Sequence, residues 1–251
     1  MVQIAFQEKE VTTLLRDQWL LMGGVVGLYL YDSVLLLFHN EIVLETKRNG
    51  YIVSIGEALE VGGRHLFLPN PCCPHRTLMR LSWPDNGLSD ARGHRTQWGR
   101  AKLALSVIAP WTWGLLGLFF LGLPCALWIG TNLLLLSWLV LTYLTIIAML
   151  TQVCRHRKAL NLSPQAVVGI VFDALLCAPF AMNIVRKISL RQAPPANLRT
   201  IASSMLSPAE NGVLTGMLRQ RIHDSLSFVE LGSEVSDTLH AYLKHFEDGT
   251  P

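Results

Sequence analysis

Residues 103–154 read LALSVIAPWTWGLLGLFFLGLPCALWIGTNLLLLSWLVLTYLTIIAMLTQVC and contain no Asp, Glu, Lys or Arg. An uncharged run of this length is typical of membrane spans, because one bilayer crossing takes about 20 apolar residues. Pro124 removes a backbone donor and disfavours a helical conformation in the residue before it. The sequence therefore predicts an integral membrane α-helical fold, with an antiparallel hairpin of Leu103–Leu121 and about Ala126–Thr151 broken at residues 122–124.

The composition agrees with membrane spans joined to a water-soluble part. Apolar residues make up 51% of the 251 residues, and charged residues make up 16%, below the roughly 25% of soluble domains. The five cysteines are odd in number, and three lie in or beside apolar segments, which argues against a secreted disulfide framework.

A third apolar run, Trp19–Phe38, is predicted to be a further span. Asp32 lies in its second half, and His39 follows seven positions later, which places both on nearly the same face of a helix. An ionisable group at that depth is costly unless it faces a partner or water, which makes both residues acid–base candidates. In the alternative interpretation the helix ends near Tyr31 and Asp32 lies at the membrane interface.

The distribution of Lys and Arg predicts the topology, since these residues favour the cytoplasmic side of short loops. Three spans with the N-terminus outside place 19 of the 21 basic residues inside. A fourth crossing by Ala166–Val185 would leave only 12 inside, so this segment is predicted to be an interfacial or re-entrant helix. Asp173, the third acid–base candidate at membrane depth, suits that placement. The predicted location is a bacterial-type plasma (inner) membrane.

Residues 39–102 are predicted to form a small β-rich soluble module. Asn49-Gly50 between two β-prone runs is a strong hairpin signal, because both turn residues tolerate positive φ. Gly62-Gly63 marks a second turn, and Leu78–Trp83 alternates as a strand does. We expect a sheet of three or four strands, followed by a loop over Trp83–Gly99.

Two sets of residues in this module are candidates for binding. Cys72, Cys73 and His75 have metal-ligand chemistry, but adjacent cysteines flanked by prolines do not fit a zinc site, and a Pro-rich turn is favoured. The basic residues just before the hairpin are candidates for binding lipid headgroups, or they serve only to set the topology. These are Arg76, Arg80, Arg92, Arg95, Arg100 and Lys102. Neither set resembles a nucleic-acid-binding motif.

The segment 194–251 is predicted to be an amphipathic helical tail. Ser207 and Glu210 match a capping box, in which the serine accepts from the backbone and the glutamate reaches back. The last helix carries an apolar stripe, which makes it a candidate for docking a partner. That stripe includes Leu239, Tyr242, Leu243 and Phe246.

The sequence thus divides into five parts: an arm and first span (1–38), the soluble module (39–102), the hairpin (103–154), a basic stop with the interfacial or re-entrant helix (155–193), and the tail (194–251). No catalytic motif or cofactor fingerprint is present. This pattern favours a membrane-anchored binding or assembly protein that meets membrane lipids and a protein partner. The alternatives are a membrane enzyme acting on a lipid-linked substrate and, more weakly, a transporter subunit.

Overall fold

The computed structural model describes residues 2–38, 41–47, 50–57, 59–82, 91–192, 196–197, 206–228, 236–237, 240–241 and 243–244. The chain is mostly helical with a small, largely antiparallel sheet region. It divides into two compact units. The helical unit comprises Met1–Val34, Leu68–Thr77 and Thr96–Gln192, and the sheet unit comprises Leu35–Phe67, Leu78–Arg95 and Ala193–Pro251.

The helical unit is built from helices that share one apolar core. The elements are α1 (Val2–Ser33), α2 (Ala91–Gly117, which begins just before this unit), a π-helical turn (Leu118–Gly122), α3 (Leu123–Ile129), α4 (Asn132–Arg155), α5 (Pro164–Leu176), a 3₁₀ helix (Ala178–Asn183) and α6 (Ile184–Gln192). Apolar residues spaced three or four apart on these helices meet in the core, as amphipathic helices require. They include Ile108, Leu115, Ile146, Met149, Ile170 and Ile188.

The hairpin is present, but its predicted break at residues 122–124 is wrong. The helical path continues through Pro124 to Ile129, and the turn falls at Gly130, whose φ of 71° is the left-handed value glycine adopts readily. Proline is tolerated because the preceding turn is π-helical and Pro124 opens the first turn of α3, where a missing N–H costs little. The indole of Trp138 donates to the Leu118 carbonyl at 2.7 Å, which joins α4 to this wide turn.

Two helical stretches are long and apolar enough to cross a membrane, Trp98–Ile129 and Asn132–Arg155. Many of their apolar side chains are exposed; Trp128 retains 90% of its accessible surface and Leu133 retains 76%. These two stretches suggest association with a membrane.

The run predicted as a third span, Trp19–Phe38, differs from the prediction. It is helical only as far as Ser33, and Leu35–Leu37 form strand β1 instead. The Ser33 hydroxyl donates to the Tyr29 carbonyl at 2.8 Å, and strand pairing from Leu35 replaces the helical hydrogen bonds. Local apolar character does not distinguish a longer helix from a helix followed by a strand, because leucine is buried in both kinds of element.

The sheet unit contains two sheets rather than the single sheet expected. One has the order β1–β5–β4, with β4 at Glu60–Val61 and β5 at Arg64–Phe67. The other has the order β3–β2–β6–β7, with β2 at Glu41–Lys47, β3 at Gly50–Ser54, β6 at Leu78–Ser82 and β7 at Ala196–Asn197. The predicted hairpin is confirmed, since β2 and β3 pair antiparallel with Lys47 opposite Gly50. The β7 strand, which pairs parallel to β6, comes from the tail and could not be anticipated from local pattern.

The predicted loop over Trp83–Gly99 is wrong from Ala91 onward, where α2 already begins, and residues 83–90 lie outside the described part of the chain. Extending an existing helix costs far less than starting one, so the polar residues before the apolar run join it.

A helix of the tail, α7 (Pro208–Phe228), packs against β3 through its apolar side. The capping box is confirmed: the Glu210 amide donates to Ser207 Oγ at 3.3 Å, and the Ser207 amide donates to Glu210 Oε2 at 2.8 Å. Buried Arg221 donates to the carbonyls of Glu41 and Ile55, which fastens α7 to β2 and to the end of β3.

Candidate functional site

Two of the three predicted acid–base residues meet in the helical unit. The Lys187 ammonium lies 2.7 Å from Asp32 Oδ1 and 3.5 Å from Asp173 Oδ2. The side chain of Asp32 is nearly buried, with 9% of its surface exposed, whereas that of Asp173 is 48% exposed. The Phe180 ring lies 4.8 Å from the same ammonium and completes its surroundings with a cation–π contact. Lys187 therefore holds Asp32 tightly and Asp173 loosely.

The fold brings these residues together through the end of α1 and a reversal of the chain after α5. Asp32 lies in the last turn of α1, and Asp173 lies in the last turns of α5. Pro179 lies in a 3₁₀ helix rather than in an α-helix. This 3₁₀ helix reverses the direction of the chain, so that Lys187 on α6 lies beside Asp173. Three segments that are distant in sequence thus contribute one charge each.

Asn183 connects this ion pair to the backbone of α1. Its amide nitrogen donates to Asp32 Oδ2 at 3.2 Å and to the Tyr29 carbonyl at 3.1 Å. Its oxygen accepts from Arg186 Nη1 at 3.2 Å and lies 3.1 Å from Ser33 Oγ, whose one proton is shared between this oxygen and the Tyr29 carbonyl. An amide can make two donor and two acceptor bonds, and this buried side chain has a partner within reach for each of them.

Arg186 extends the network to the Pro-rich turn. Its Nη2 donates to the carbonyls of Asn70 at 2.5 Å and Cys73 at 2.9 Å. The Tyr29 hydroxyl donates to the Pro71 carbonyl at 2.5 Å. We name the connected side chains the polar cluster: Tyr29, Asp32, Ser33, Asp173, Asn183, Arg186 and Lys187.

Further contacts connect the surroundings of the polar cluster to neighbouring helices. The Tyr143 hydroxyl of α4 donates to the Leu175 carbonyl at 3.3 Å, two residues after Asp173. The Tyr29 ring lies edge-on to Phe120 of the π-helical turn, with ring centroids 6.0 Å apart.

The metal candidates Cys72, Cys73 and His75 lie in the turn that Arg186 and Tyr29 hold. His75 stacks on Trp113 with ring centroids 5.2 Å apart, and Cys72 is exposed. Within the described residues no group of three or more His, Cys, Asp or Glu is arranged to hold a metal ion. The turn is held through its carbonyls, and the thiols take no part in those bonds.

The basic residues proposed for lipid headgroups lie on different elements. Arg80 is on β6 and lies 3.6 Å from Glu41, and Arg76 is half-buried in the helical unit. Arg100 and Lys102 are exposed on α2, and Arg92 and Arg95 belong to the described backbone of the same helix. Of these six residues, only the four on α2 lie on a helix that also contains a membrane-length stretch.

Several predicted residues lie outside the described part of the chain. They are His39, Leu239, Tyr242 and Phe246. Leu243 is helical and half-buried.

Sequence reasoning missed Lys187 and Arg186 as site residues, because they read as the basic end of an apolar segment. Asp32 and Asp173 each need a partner at such a position. Lys187, fourteen residues after Asp173, was the feature of the sequence that could have identified this partner. Asn183, an amide inside an apolar run, gave the same signal.

The side chains of the polar cluster connect α1, α5, the 3₁₀ helix and α6 with the turn at residues 70–73. Two carboxylates and two basic side chains balance in charge, and the cations are engaged by carboxylates, carbonyls and Asn183. Such buried ionic networks fix one arrangement of the elements that carry them.

Comparison of the chain with models of known protein families, with curated proteins and with solved structures gives no match.

Proposed function

We propose that the protein is an integral membrane protein that anchors binding surfaces for assembly with a partner. In this proposal α2–α3, α4 and the apolar part of α1 make three passages with the N-terminus outside. The sheet unit and the tail then face the cytoplasm of a bacterial-type cell. The Lys and Arg distribution supports this orientation, since 19 of the 21 basic residues fall inside.

The observation that carries the proposal is the exposed apolar surface of the hairpin. Trp128, Leu133, Leu136, Leu144 and Ile147 are each more than half exposed. Burying one such side chain contributes about 1.5–3 kcal/mol, so leaving them in water would be costly. A bilayer removes that cost, and α4 at about 36 Å is long enough for the hydrocarbon core of about 30 Å.

Binding rather than catalysis is supported by the way charged groups are used. Lys187 is paired with Asp32 and Asp173, and Arg186 donates to carbonyls and to Asn183. In the sheet unit Arg221 and Glu210 serve to fasten α7. The compact sheet unit and the apolar stripe predicted from the sequence at Leu239, Tyr242, Leu243 and Phe246 are the surfaces that we propose for a partner. Arg100 and Lys102, exposed on α2 before its apolar part, are suited to anionic headgroups at about 1 kcal/mol each.

A membrane enzyme acting on a lipid-linked substrate is the second candidate. The observation that favours it is the meeting of Asp32 and Asp173 at Lys187. Retention of a stoichiometric lipid, rather than a protein, through purification in mild detergent would favour this candidate.

Membrane topology can be tested with single cysteines in a chain whose five native cysteines are replaced. We expect Thr131→Cys, at the hairpin turn, to react with an impermeant thiol reagent in intact cells. Glu57→Cys and Asn211→Cys should react only after the cells are opened. Alkaline carbonate should leave the protein in the membrane fraction. Release by carbonate would contradict the membrane anchor, and labelling of residue 57 or 211 from outside would contradict the orientation.

A further inference from the structure

Exposed basic side chains cluster at the end of the helical hairpin that lies opposite its turn. Lys102 lies 28 residues before Gly130, and Arg155 lies 25 residues after it. At about 1.5 Å per residue, both positions are about 40 Å from the turn and therefore at nearly the same level. We name the exposed basic residues at this end the basic rim. Its members are Arg100, Lys102, Arg155, Arg157, Lys158 and Arg191.

A contact between α2 and α4 supports this register. A Cβ at Gly114 of α2 would lie 4.0 Å from Thr145 Cγ2 of α4, so these two positions face each other. Ten residues further from the hairpin turn, α4 reaches Arg155 and α2 reaches Ala104. Lys102 is two residues beyond Ala104, which is less than one turn of helix. The charges at the ends of the two helices therefore lie side by side.

The turn that follows α4 holds two more members of the rim in place. Leu160 and Leu162 are buried, and the Leu162 amide donates to the Arg157 carbonyl at 3.0 Å. The Asn161 amide donates to the Lys158 carbonyl at 3.1 Å. The side chains of Arg157 and Lys158 are exposed. Because the backbone of this turn is fixed by these contacts, its two charges stay close to the end of α4.

The rim is completed from α6, and the surrounding sequence contains no acid. Arg191 Nη1 donates to the Ala166 carbonyl at 3.2 Å, in the first turn of α5. No Asp or Glu occurs in residues 91–172, which include α2, α4 and the turn after α4. Exposed cations without neighbouring acids attract anions. Because the rim lies where two membrane-length stretches end, the anions that suit its position are those of a membrane surface.

We propose that the basic rim binds the phosphate groups of anionic phospholipids in the leaflet opposite the hairpin turn. This inference rests on the membrane anchor proposed above and names the class of lipid that the anchor recognises. Basic residues at the ends of spans can instead serve only to set the orientation of the protein. The two roles are separable, because charges that only set the orientation give no preference for an anionic headgroup once the protein is in detergent.

The test measures lipid binding to the purified full chain in an uncharged detergent, where membrane orientation has no influence. The probes are dioleoyl phosphatidylglycerol, which is anionic, and dioleoyl phosphatidylcholine, which has the same acyl chains and no net charge. Native mass spectrometry counts the lipids bound at each concentration. We expect phosphatidylglycerol to bind at least about tenfold more tightly, because each basic residue near a headgroup strengthens binding about fivefold.

Two variants remove charge from different parts of the rim. Arg155→Gln, Arg157→Gln and Lys158→Gln together should lower the affinity for phosphatidylglycerol at least about tenfold. Arg100→Gln with Lys102→Gln changes the neighbouring helix and should weaken binding in the same direction, so the test does not depend on one variant. Unchanged protease resistance would show that each variant is folded.

A matched control removes three positive charges from exposed positions of the sheet unit. It carries Lys47→Gln, Arg64→Gln and Arg219→Gln and should bind phosphatidylglycerol as the wild type does. The inference is overturned if the two lipids bind equally, if the preference survives in both rim variants, or if the control loses as much affinity as they do. A carbonate-resistant chain without lipid preference refutes only this inference, whereas release by carbonate refutes the membrane anchor itself.

Discussion

Asn183 is the residue through which the polar cluster is connected. It contacts an acid, a base, a hydroxyl and a backbone carbonyl, and it is almost fully buried. Removing its amide leaves Asp32 and Arg186 each without one partner in a site that is largely shielded from water. The free-energy cost of such a substitution depends more on the buried polar groups left without a partner than on the hydrogen bonds that are removed.

We therefore expect Asn183→Leu to lower the free energy of unfolding of the helical unit by about 3 kcal/mol, since charged and neutral buried groups both lose partners. Thermal unfolding of the protein in detergent, followed by protease sensitivity, measures this effect. Asn211→Leu, a matched change on the exposed surface of α7, is the control and should have little effect. Equal stability of the two variants would show that the polar cluster does not stabilise the unit.

At the scale of elements, the start of α7 is fastened by one carboxylate. Glu210 accepts from the Ser207 amide and also from the Tyr51 amide of β3 at 2.6 Å. A Cβ at Gly50, whose φ of 140° favours glycine, would overlap this carboxylate and displace it. The hydrogen bonds from Tyr51 and Ser207 lower the pKa of Glu210 below its ordinary value.

This shift predicts a pH dependence. Because the pKa is lowered in the folded state, the contribution of Glu210 to stability is complete above the ordinary pKa of glutamate and is lost as the pH falls through the lowered value. Glu210→Gln should cost about 1 kcal/mol at neutral pH, as other losses of a helix cap do, and progressively less in acid. Unfolding curves of the two proteins at several pH values measure this difference. The exposed Glu57→Gln serves as the control, and a difference that stays constant into acid would contradict the assignment.

At the scale of the whole molecule, the protein consists of two compact units with separate roles in the proposed function. The helical unit carries both membrane-length stretches, and the sheet unit is completed by β7 and α7 from the tail. Because the two membrane-length stretches precede residue 194, damage to the tail is expected to leave membrane association unaffected. Mutations in the tail therefore allow the proposed anchoring and binding functions to be tested separately.

Replacing Leu239 and Leu243 by Asp should leave the protein in the membrane but release the predicted last helix from the surface on which we expect it to dock, since two charges would replace part of its predicted apolar stripe. Limited proteolysis should then cut beyond Pro195, and any partner should be lost from the purified complex. His240→Ala, at a neighbouring exposed position, is the control. A double variant as resistant as the wild type, with its partners retained, would remove the tail from the binding function.

The sequence by itself determined the features that depend on neighbouring residues. Periodicity and turn chemistry predicted the β2–β3 hairpin at Gly50, the capping box of Ser207 and Glu210, and the apolar character of both membrane-length stretches. Hydrogen bonds within a few residues and the transfer of side chains out of water decide these features, and both can be assessed from local sequence.

Only the tertiary structure decided how distant segments meet. Pro124 continues in a helical path because a π turn and the indole of Trp138 accommodate it, which no local rule predicts. The pairing of Asp32 with Lys187 joins residues far apart in sequence, and the chain reversal after α5 makes that pairing possible. Long-range pairing depends on which surfaces remain to be buried after local structure has formed, so the acids could be named as candidates, but the sequence alone did not single out Lys187 as their partner.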